Sequence, residues 1–348
     1  MSSLDAIRLP AMDPSLLIRL EGLLMEIVAE RRARPTLISY SLSGKAIAIG
    51  RYHRYSGPSK DQGIEAYRRI TGGRIAGAGD GWLGLCLIMP YVGALRGEDG
   101  RALRPEQIIN RYSRGILRGL RGIGVDCLYP GRDTITILRR QFAICSFEID
   151  DSGALLFESL IALARGFEEL TVDIDRFDRE GRLTCAMYDS DSATTLKRET
   201  GRCWSFTEIA DAIEQGCALE WGEVKRRGLT EQERRLSESS APRVTLEWPG
   251  SERGDSSRIL VGRTPSQLGF VEARVELDSN GRIERALLSG DFIAGSGAVD
   301  RLGRALRGKP FSLDAINAAV TGSFEGGAGF ILGVGELSNL VSLIAKAG

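Results

Sequence analysis

The chain has 348 residues, 43% of them hydrophobic and 26% charged, with 46 Lys+Arg against 46 Asp+Glu. That length is comfortable for two domains, and the composition excludes a disordered, collagenous or coiled-coil chain. A formal charge of zero gives no global attraction to nucleic acid or to an acidic membrane, so any charged site is local.

Lysine occurs only at positions 45, 60, 197, 225, 309 and 346, which leaves amine chemistry few carriers. The single histidine, His53, argues against a Ser-His-Asp triad and against a histidine-built metal cage. Six cysteines, at 86, 127, 145, 185, 203 and 217, show no C-x-x-C spacing; buried reduced thiols are expected, and no metal site. The N-terminal stretch lacks a basic region followed by an apolar one, and no apolar run reaches the ~18 residues of a membrane span. The expectation is a cytoplasmic protein with neither a membrane nor a nucleic acid as partner.

In chain order, residues 13–31 read as an amphipathic helix with Asp13 as cap and Pro14 in the first turn. The following TLISYSLSGKAIAIG carries two strand-like runs about a Ser-Gly turn, read as a hairpin. QGIEAYR is expected as a short helix, then the ITGG turn, then WLGLCLIMP as a strand buried on both faces. Residues 105–122 form a second amphipathic helix, and VDCLYPG, TITILRRQFAICSFEI and GALLFESLI read as strands. From about 204 to 236 the chain is helical again, opening with Ser205 three residues before Glu208, a capping-box spacing.

The Ser/Gly/Pro-rich segment around 241–256 is the expected linker between a domain over 1–240 and a smaller α+β domain over 257–348. The second contains a hairpin through Ser279-Asn280-Gly281 and helices near 298–307 and 312–322, the latter capped by Ser312. Without a regular βαβ rhythm, the fold class is α+β, with a mixed or antiparallel sheet and helices, rather than a doubly wound parallel fold.

The segment with chemical content is Tyr67-Arg68-Arg69-Ile70-Thr71-Gly72-Gly73-Arg74. Adjacent glycines let backbone N–H groups approach an anion, and adjacent arginines can clamp a phosphate or carboxylate. The other reading is a tight turn with solvated arginines.

Taken together, the strand end IGRYHRYSG, the RRITGG loop, the buried strand ending in LIMP, PGRDTITIL, the GALL strand, TTLKRETGRCWSFTEIADAIEQGCALEWG, GLTEQE and the hairpin ending in Gly290-Asp291-Phe292 resemble, in the same order and over nearly the whole chain, the lipoate–protein ligase A family. The resemblance implies attachment of lipoate or octanoate to a lysine of a lipoyl carrier domain through an acyl-adenylate made from ATP, with Mg²⁺. By resemblance Arg69, Thr71, Gly72 and Gly73 form the ligand loop, with Arg132 and Asp133 at the family's G-R-N-D position. Ile49, Leu85, Leu87, Ile135 and Ile137 would wall the acyl tunnel or serve as ordinary sheet core.

The chain departs from the family pattern where the family carries a lysine: Gln141 stands there, and Arg139 or Arg140 is the nearest substitute cation. Gly77-Ala78-Gly79-Asp80 replace the family's histidine after the glycine loop, and Asp151-Ser152 its His-Gly. Two functions therefore stay open: a ligase or acyltransferase, or a catalytically impaired relative that binds the acyl ligand or the carrier. Cys145 is read as a core thiol against an acyl-thioester nucleophile, and His53 as a partly exposed loop residue against an acid–base group.

Overall fold

The computed structural model describes residues 3–55, 60–61, 63–90, 103–150, 153–170, 191–245, 258–324 and 329–347. In chain order its elements are β1 (Leu4–Met12), α1 (Pro14–Ala29), β2 (Thr36–Leu42), β3 (Lys45–Ile49), β4 (Lys60–Asp61), β5 (Ile64–Arg68), β6 (Ala76–Gly79), β7 (Trp82–Pro90) and α2 (Pro105–Gly122). Then follow β8 (Thr134–Ile137), β9 (Arg140–Ile149), β10 (Ala154–Ala162), α3 (Leu196–Thr200), α4 (Phe206–Trp221), β11 (Val224–Arg226) and α5 (Glu231–Ser239). The remaining elements are β12 (Arg258–Pro265), β13 (Phe270–Leu277), β14 (Ile283–Gly290), β15 (Ile293–Ala294), α6 (Ser296–Leu306), α7 (Leu313–Phe324), β16 (Ile331–Leu332) and α8 (Leu337–Ala345).

Among the described residues a seven-stranded sheet runs in the order β11-β1-β2-β7-β10-β9-β8, and a four-stranded sheet in the order β4-β5-β3-β6. The large sheet is mixed: β11, β1 and β2 are parallel neighbours, and the pairs from β2 to β8 are antiparallel. The fold is thus α+β, with a smaller C-terminal unit built on the antiparallel sheet β12-β13-β14.

The large sheet is covered on both faces. Leu83, Leu85 and Leu87 pack with the Ile108–Leu120 stripe of α2 and with Ile209 and Ile213 of α4. Cys86, Ile88, Leu156 and Leu160 face α1 and the small sheet. Each buried Leu or Ile of these stripes contributes roughly 1.5–3 kcal/mol, and the alternation along β7 and β10 follows from the period of two in a strand.

Several expectations are met locally. Asp13 caps α1 by accepting from the N–H groups of Ser15 and Leu16, and Ser205 and Glu208 form the reciprocal capping box of α4. The C-terminal helices fall within two residues of their expected bounds.

Others are corrected. The 64–68 segment is a strand parallel to β3, not a helix; Ile64 and Ala66 are buried with Glu65 half-buried between them, a pattern of two too short to form a helical stripe. The strands β2 and β3 do not pair as a hairpin: β2 enters the large sheet beside β1 and β7, while β3 joins β5 and β6. VDCLYPG contributes only a bridge from Leu128 to Thr136. The strands β1 and β12 and the helix α8 went unrecognised in the sequence.

The two units interlock. Tyr52 packs into the C-terminal core, its ring stacked on Phe292 with centroids 4.5 Å apart. Leu268, Ile293 and Leu332, in return, belong to the core of the large sheet.

Candidate functional site

The glycine loop begins where β5 ends. Its backbone is pinned to the segment after β3: Arg69 N–H donates to Ile49 O at 2.8 Å and Arg51 N–H to Thr71 O at 2.9 Å. The approach is close enough that a Cβ on Gly50 would lie 2.0 Å from Gly73 O. Gly73 itself sits at φ +87°, the left-handed region that favours glycine.

Arg68 and Arg69 point opposite ways. Arg68 donates to the carbonyls of Gly50, Arg51, His53 and Tyr55, folding the strand end around itself. Burial, with Arg51 nearby, pulls its guanidinium down to about 10. Arg69, 2% exposed, donates to Glu158 at 3.0 Å, to Thr71 Oγ1 at 3.3 Å and to the carbonyls of Gly72 and Arg74 at 3.2 and 2.6 Å. Burial works against that charge, but the Glu158 carboxylate outweighs it and holds Arg69 above its ordinary value.

Glu158 comes from the centre of β10, laterally between Ser146 of β9 and Cys86 of β7. Thr71 and Tyr40 also donate to it. Beneath it, the Cys86 thiol donates to Glu21 of α1 at 2.8 Å. Burial, reinforced by Glu158, pushes Glu21 up to about 8, so it is protonated at neutral pH. Glu21, Cys86 and Glu158 bring potential metal ligands within 4.8 Å of one another. Protons and the Arg69 guanidinium already satisfy this group.

Ser146 donates to Gly72 O at 2.9 Å, and Gly73 N–H donates to Phe292 O at 2.7 Å. The loop is therefore held from below by β9 and from above by the Gly290-Asp291-Phe292 end of the C-terminal hairpin. A Cβ on Gly72 would lie 2.4 Å from Phe292 O.

Asp133 and Gln141 meet at Arg74. The Arg74 guanidinium, 1% exposed, donates from Nε and Nη2 to the two oxygens of Asp133 at 2.9 and 3.0 Å, and from Nη2 to Gln141 Oε1 at 3.3 Å. Gln141 is aimed there by a bulge: Ile135 pairs with Ala143 but Thr136 with Gln141, leaving Phe142 as the extra residue. The bulge returns Gln141 to the loop side of the strand. Gln141 and Arg69 are thus linked through Arg74, whose carbonyl accepts from Arg69 and whose side chain reaches Gln141.

Arg132 lies exposed beside Asp133 and Arg139 is exposed at the hairpin tip, while Arg140 pairs with Glu199 at 2.6 Å. The cation beside Gln141 is Arg74, which the sequence reading left out of the site although it directly follows Gly73. Glu158, Ser146 and Glu21 were also missed. Nothing in their local sequence separates them from core positions, and only strand pairing aligns them.

The suggested tunnel residues divide across the sheet. Ile49 belongs to the core on the small-sheet side, and Leu85, Leu87, Ile135 and Ile137 to the core under α2 and α4, so these five are sheet core. His53 is fully buried rather than partly exposed, its ring edge-on to Phe270 at 5.9 Å. Burial pushes the Cys145 thiol up to about 12, in keeping with a core thiol; Cys86, Cys127 and Cys217 are buried as well, and Cys203 is exposed. Asp151, Ser152 and Cys185 lie outside the described residues. A cleft of about 700 Å³ lies elsewhere, between β14 and the 243–245 segment, with Arg51, Arg68, Val275, Leu288 and Arg304 in its wall.

No protein-family model matches the chain. In sequence it is similar to the octanoyltransferase LipM of an Exiguobacterium species, 27% identical over 219 residues, covering 54% of this chain and 76% of that protein. In structure it is similar to P. falciparum LipL1 solved in complex with lipoate: TM-score 0.68 at 14% identity, covering 98% of this chain and 99% of that one. A lipoate–protein ligase A solved with ATP gives a TM-score of 0.50 at 14% identity, covering 68% of this chain and 93% of that one. None of the described helices is long and apolar enough to cross a membrane. The chain thus shares the fold of these lipoate–protein ligase-type structures and resembles an octanoyltransferase in sequence at low identity.

Proposed function

We propose that the protein recognises a lipoate- or octanoate-type acyl group and acts with a lipoyl-type carrier domain as partner. The observation that carries this reading is the glycine loop laid over the polar centre of β9 and β10, in a fold that matches a lipoate-bound structure over nearly its whole length. The similarity to an octanoyltransferase supports the same acyl class. The residues of this reading are Arg69, Thr71, Gly72 and Gly73 in the loop, Arg132 and Asp133 just before β8, and Gln141 on β9.

A second reading, binding without adenylation, is favoured by one contact: Gln141 presents an amide to Arg74 where the family resemblance calls for an ammonium. ATP and Mg²⁺ enter only through the family likeness. In the arrangement described, the Gly73 N–H and the Arg69 and Arg74 guanidiniums are engaged within the protein.

The test is incubation with octanoate or lipoate, Mg-ATP and an unmodified lipoyl domain, followed by the intact mass of the carrier and by calorimetry without ATP. A carrier heavier by one acyl group supports the enzyme. Acyl binding with unchanged carrier mass supports the binding protein. A protein that neither binds the acyl group nor changes the mass of the carrier overturns the proposal.

A further inference from the structure

The C-terminal sheet runs in the order β12-β13-β14, so β14 is an edge strand among the described residues. Two hydrogen bonds fix which of its backbone groups face outward. The N–H of Asp291 donates inward to Phe270 O at 2.7 Å, and that of Gly290 donates outward to Tyr52 O at 3.0 Å. In an antiparallel pair this direction alternates along the strand, and the register runs without a shift from Val271↔Gly290 to Glu276↔Arg285. The N–H and C=O groups of Ala286 and Leu288 therefore also point away from β13, and no described backbone group bonds them. Such an edge is a template for a further strand.

The edge opens into the cleft of about 700 Å³ noted above. Residues 284–288 all line it, a strand length of about 16 Å. The cleft is basic, although the whole chain carries 46 cations against 46 anions: its described wall has seven arginines and three carboxylates. Arg243 pairs with Asp150 and Arg274 with Glu276, which leaves five arginines to the carboxylates of Glu284 and Asp300. Arg51 and Arg68 share one part of the wall, and the Arg51 charge joins burial in pulling Arg68 down to about 10. Arg304 and Arg307 lie exposed, one turn apart at the end of α6. Leu288 and Val299 supply apolar wall between the charges.

We propose that the β14 edge is a docking site for an extended acidic peptide segment of a partner protein, which joins the sheet as a fourth strand. The peptide backbone pairs with the outward groups of Ala286 and Leu288. Its side chains set carboxylates against Arg51, Arg304 and Arg307 and apolar groups against Leu288 and Val299. A small anion or a single-stranded nucleic acid would use the arginines and leave the edge unpaired, whereas an acidic strand uses both. This surface lies outside the glycine loop and does not depend on the function proposed above.

The test is fluorescence anisotropy with a labelled octapeptide of alternating Glu and Val, beside a copy N-methylated at alternate residues, which keeps the charge but cannot pair along an edge. The wild-type protein should bind the first saturably and the second at least about tenfold more weakly. Peptide binding should slow hydrogen exchange at the Ala286 and Leu288 amides. Arg304→Glu/Arg307→Glu, both on the surface, should weaken the complex at least about tenfold at low salt, with the difference shrinking at high salt. Ala286→Pro removes one outward N–H while sparing the pairing with β13, and should weaken binding at any salt concentration. Absence of saturable binding overturns the proposal. Equal affinity for the N-methylated copy overturns it in favour of a site for anions alone, and equal affinity for a Lys/Val octapeptide overturns the acidic partner.

Discussion

Arg69 and Glu158, 89 residues apart in sequence, form a buried ion pair at 3.0 Å that ties the glycine loop to the centre of the large sheet. The guanidinium also holds the carbonyls of Gly72 and Arg74, so the pair sets the shape of the loop. Removing one partner strands a charge in the core: Arg69→Ala and Glu158→Ala are each expected to cost about 3–5 kcal/mol in urea unfolding, with or without ligand. Arg69→Met combined with Glu158→Leu should recover most of that loss. An Arg69→Ala protein with the wild-type unfolding midpoint would assign the arginine to ligand binding alone.

Stability should fall as the pH rises from mildly acid to mildly alkaline. Burial, reinforced by Glu158, pushes Glu21 up to about 8, and burial pushes Glu148 up to about 7, against 4.5 for an ordinary Glu. Within that window the native state keeps protons that the unfolded chain has released, and each carboxyl therefore lowers stability by at most about 1.4 kcal/mol per pH unit. Asp13, Asp211 and Glu233, held below their ordinary values, act in the opposite sense and only at more acid pH. Glu21→Gln and Glu148→Gln should each flatten the profile of urea midpoints. A flat wild-type profile between about pH 5 and 8 would refute the assignment.

Gln141→Lys alone should not generate an adenylating enzyme. Its ammonium would arrive beside the Arg74 guanidinium, now 3.3 Å from the Gln141 oxygen, and two buried cations sharing one Asp133 carboxylate repel. The expected result is a lower melting temperature and no acyl-adenylate by mass spectrometry. Gln141→Lys with Arg74→Gly relieves the repulsion and leaves Asp133 for the new ammonium. This pair should melt above the single variant, and the idea fails if it melts below.

Gly72→Ala should loosen the contact between the two units. The added methyl would meet the Phe292 carbonyl oxygen at 2.4 Å, and that oxygen accepts the Gly73 N–H. The backbone has to shift there, breaking a buried hydrogen bond worth about 1 kcal/mol and the fit around it. Faster hydrogen exchange at the Gly73 amide, with unchanged protection in α2, is the expected signature. Equal exchange in variant and wild type would mean that the loop closes without Phe292.

Local signals carried much of the fold because each answers to its own few residues. Asp13 before Pro14, Ser205 three before Glu208, and the Ile108–Leu120 stripe each satisfy backbone or bury side chains within a single element, and the structure has them as read. The α+β class was legible for the same reason, from elements without a βαβ rhythm. Strand partnership was not: the connection between β2 and β3 looks like a hairpin locally, but β2 satisfies its backbone between β1 and β7, which begin 32 residues before and 46 residues after it.

The site divides in the same way. The sequence by itself marked the loop, Arg69 through Gly73, because glycine pairs and adjacent arginines are visible in one short run, and the family resemblance set Asp133 and Gln141 beside it. Tertiary structure alone decided what those groups touch. Glu158 reaches Arg69 because three antiparallel strands fall into one register, Gln141 faces Arg74 because a bulge at Phe142 turns it over, and Phe292 closes on Gly73 across the two units. Burial then makes each of these contacts strong, since an unpaired charge or N–H in that interior costs far more than it would in water, and no local pattern in the chain records which distant residue will satisfy it.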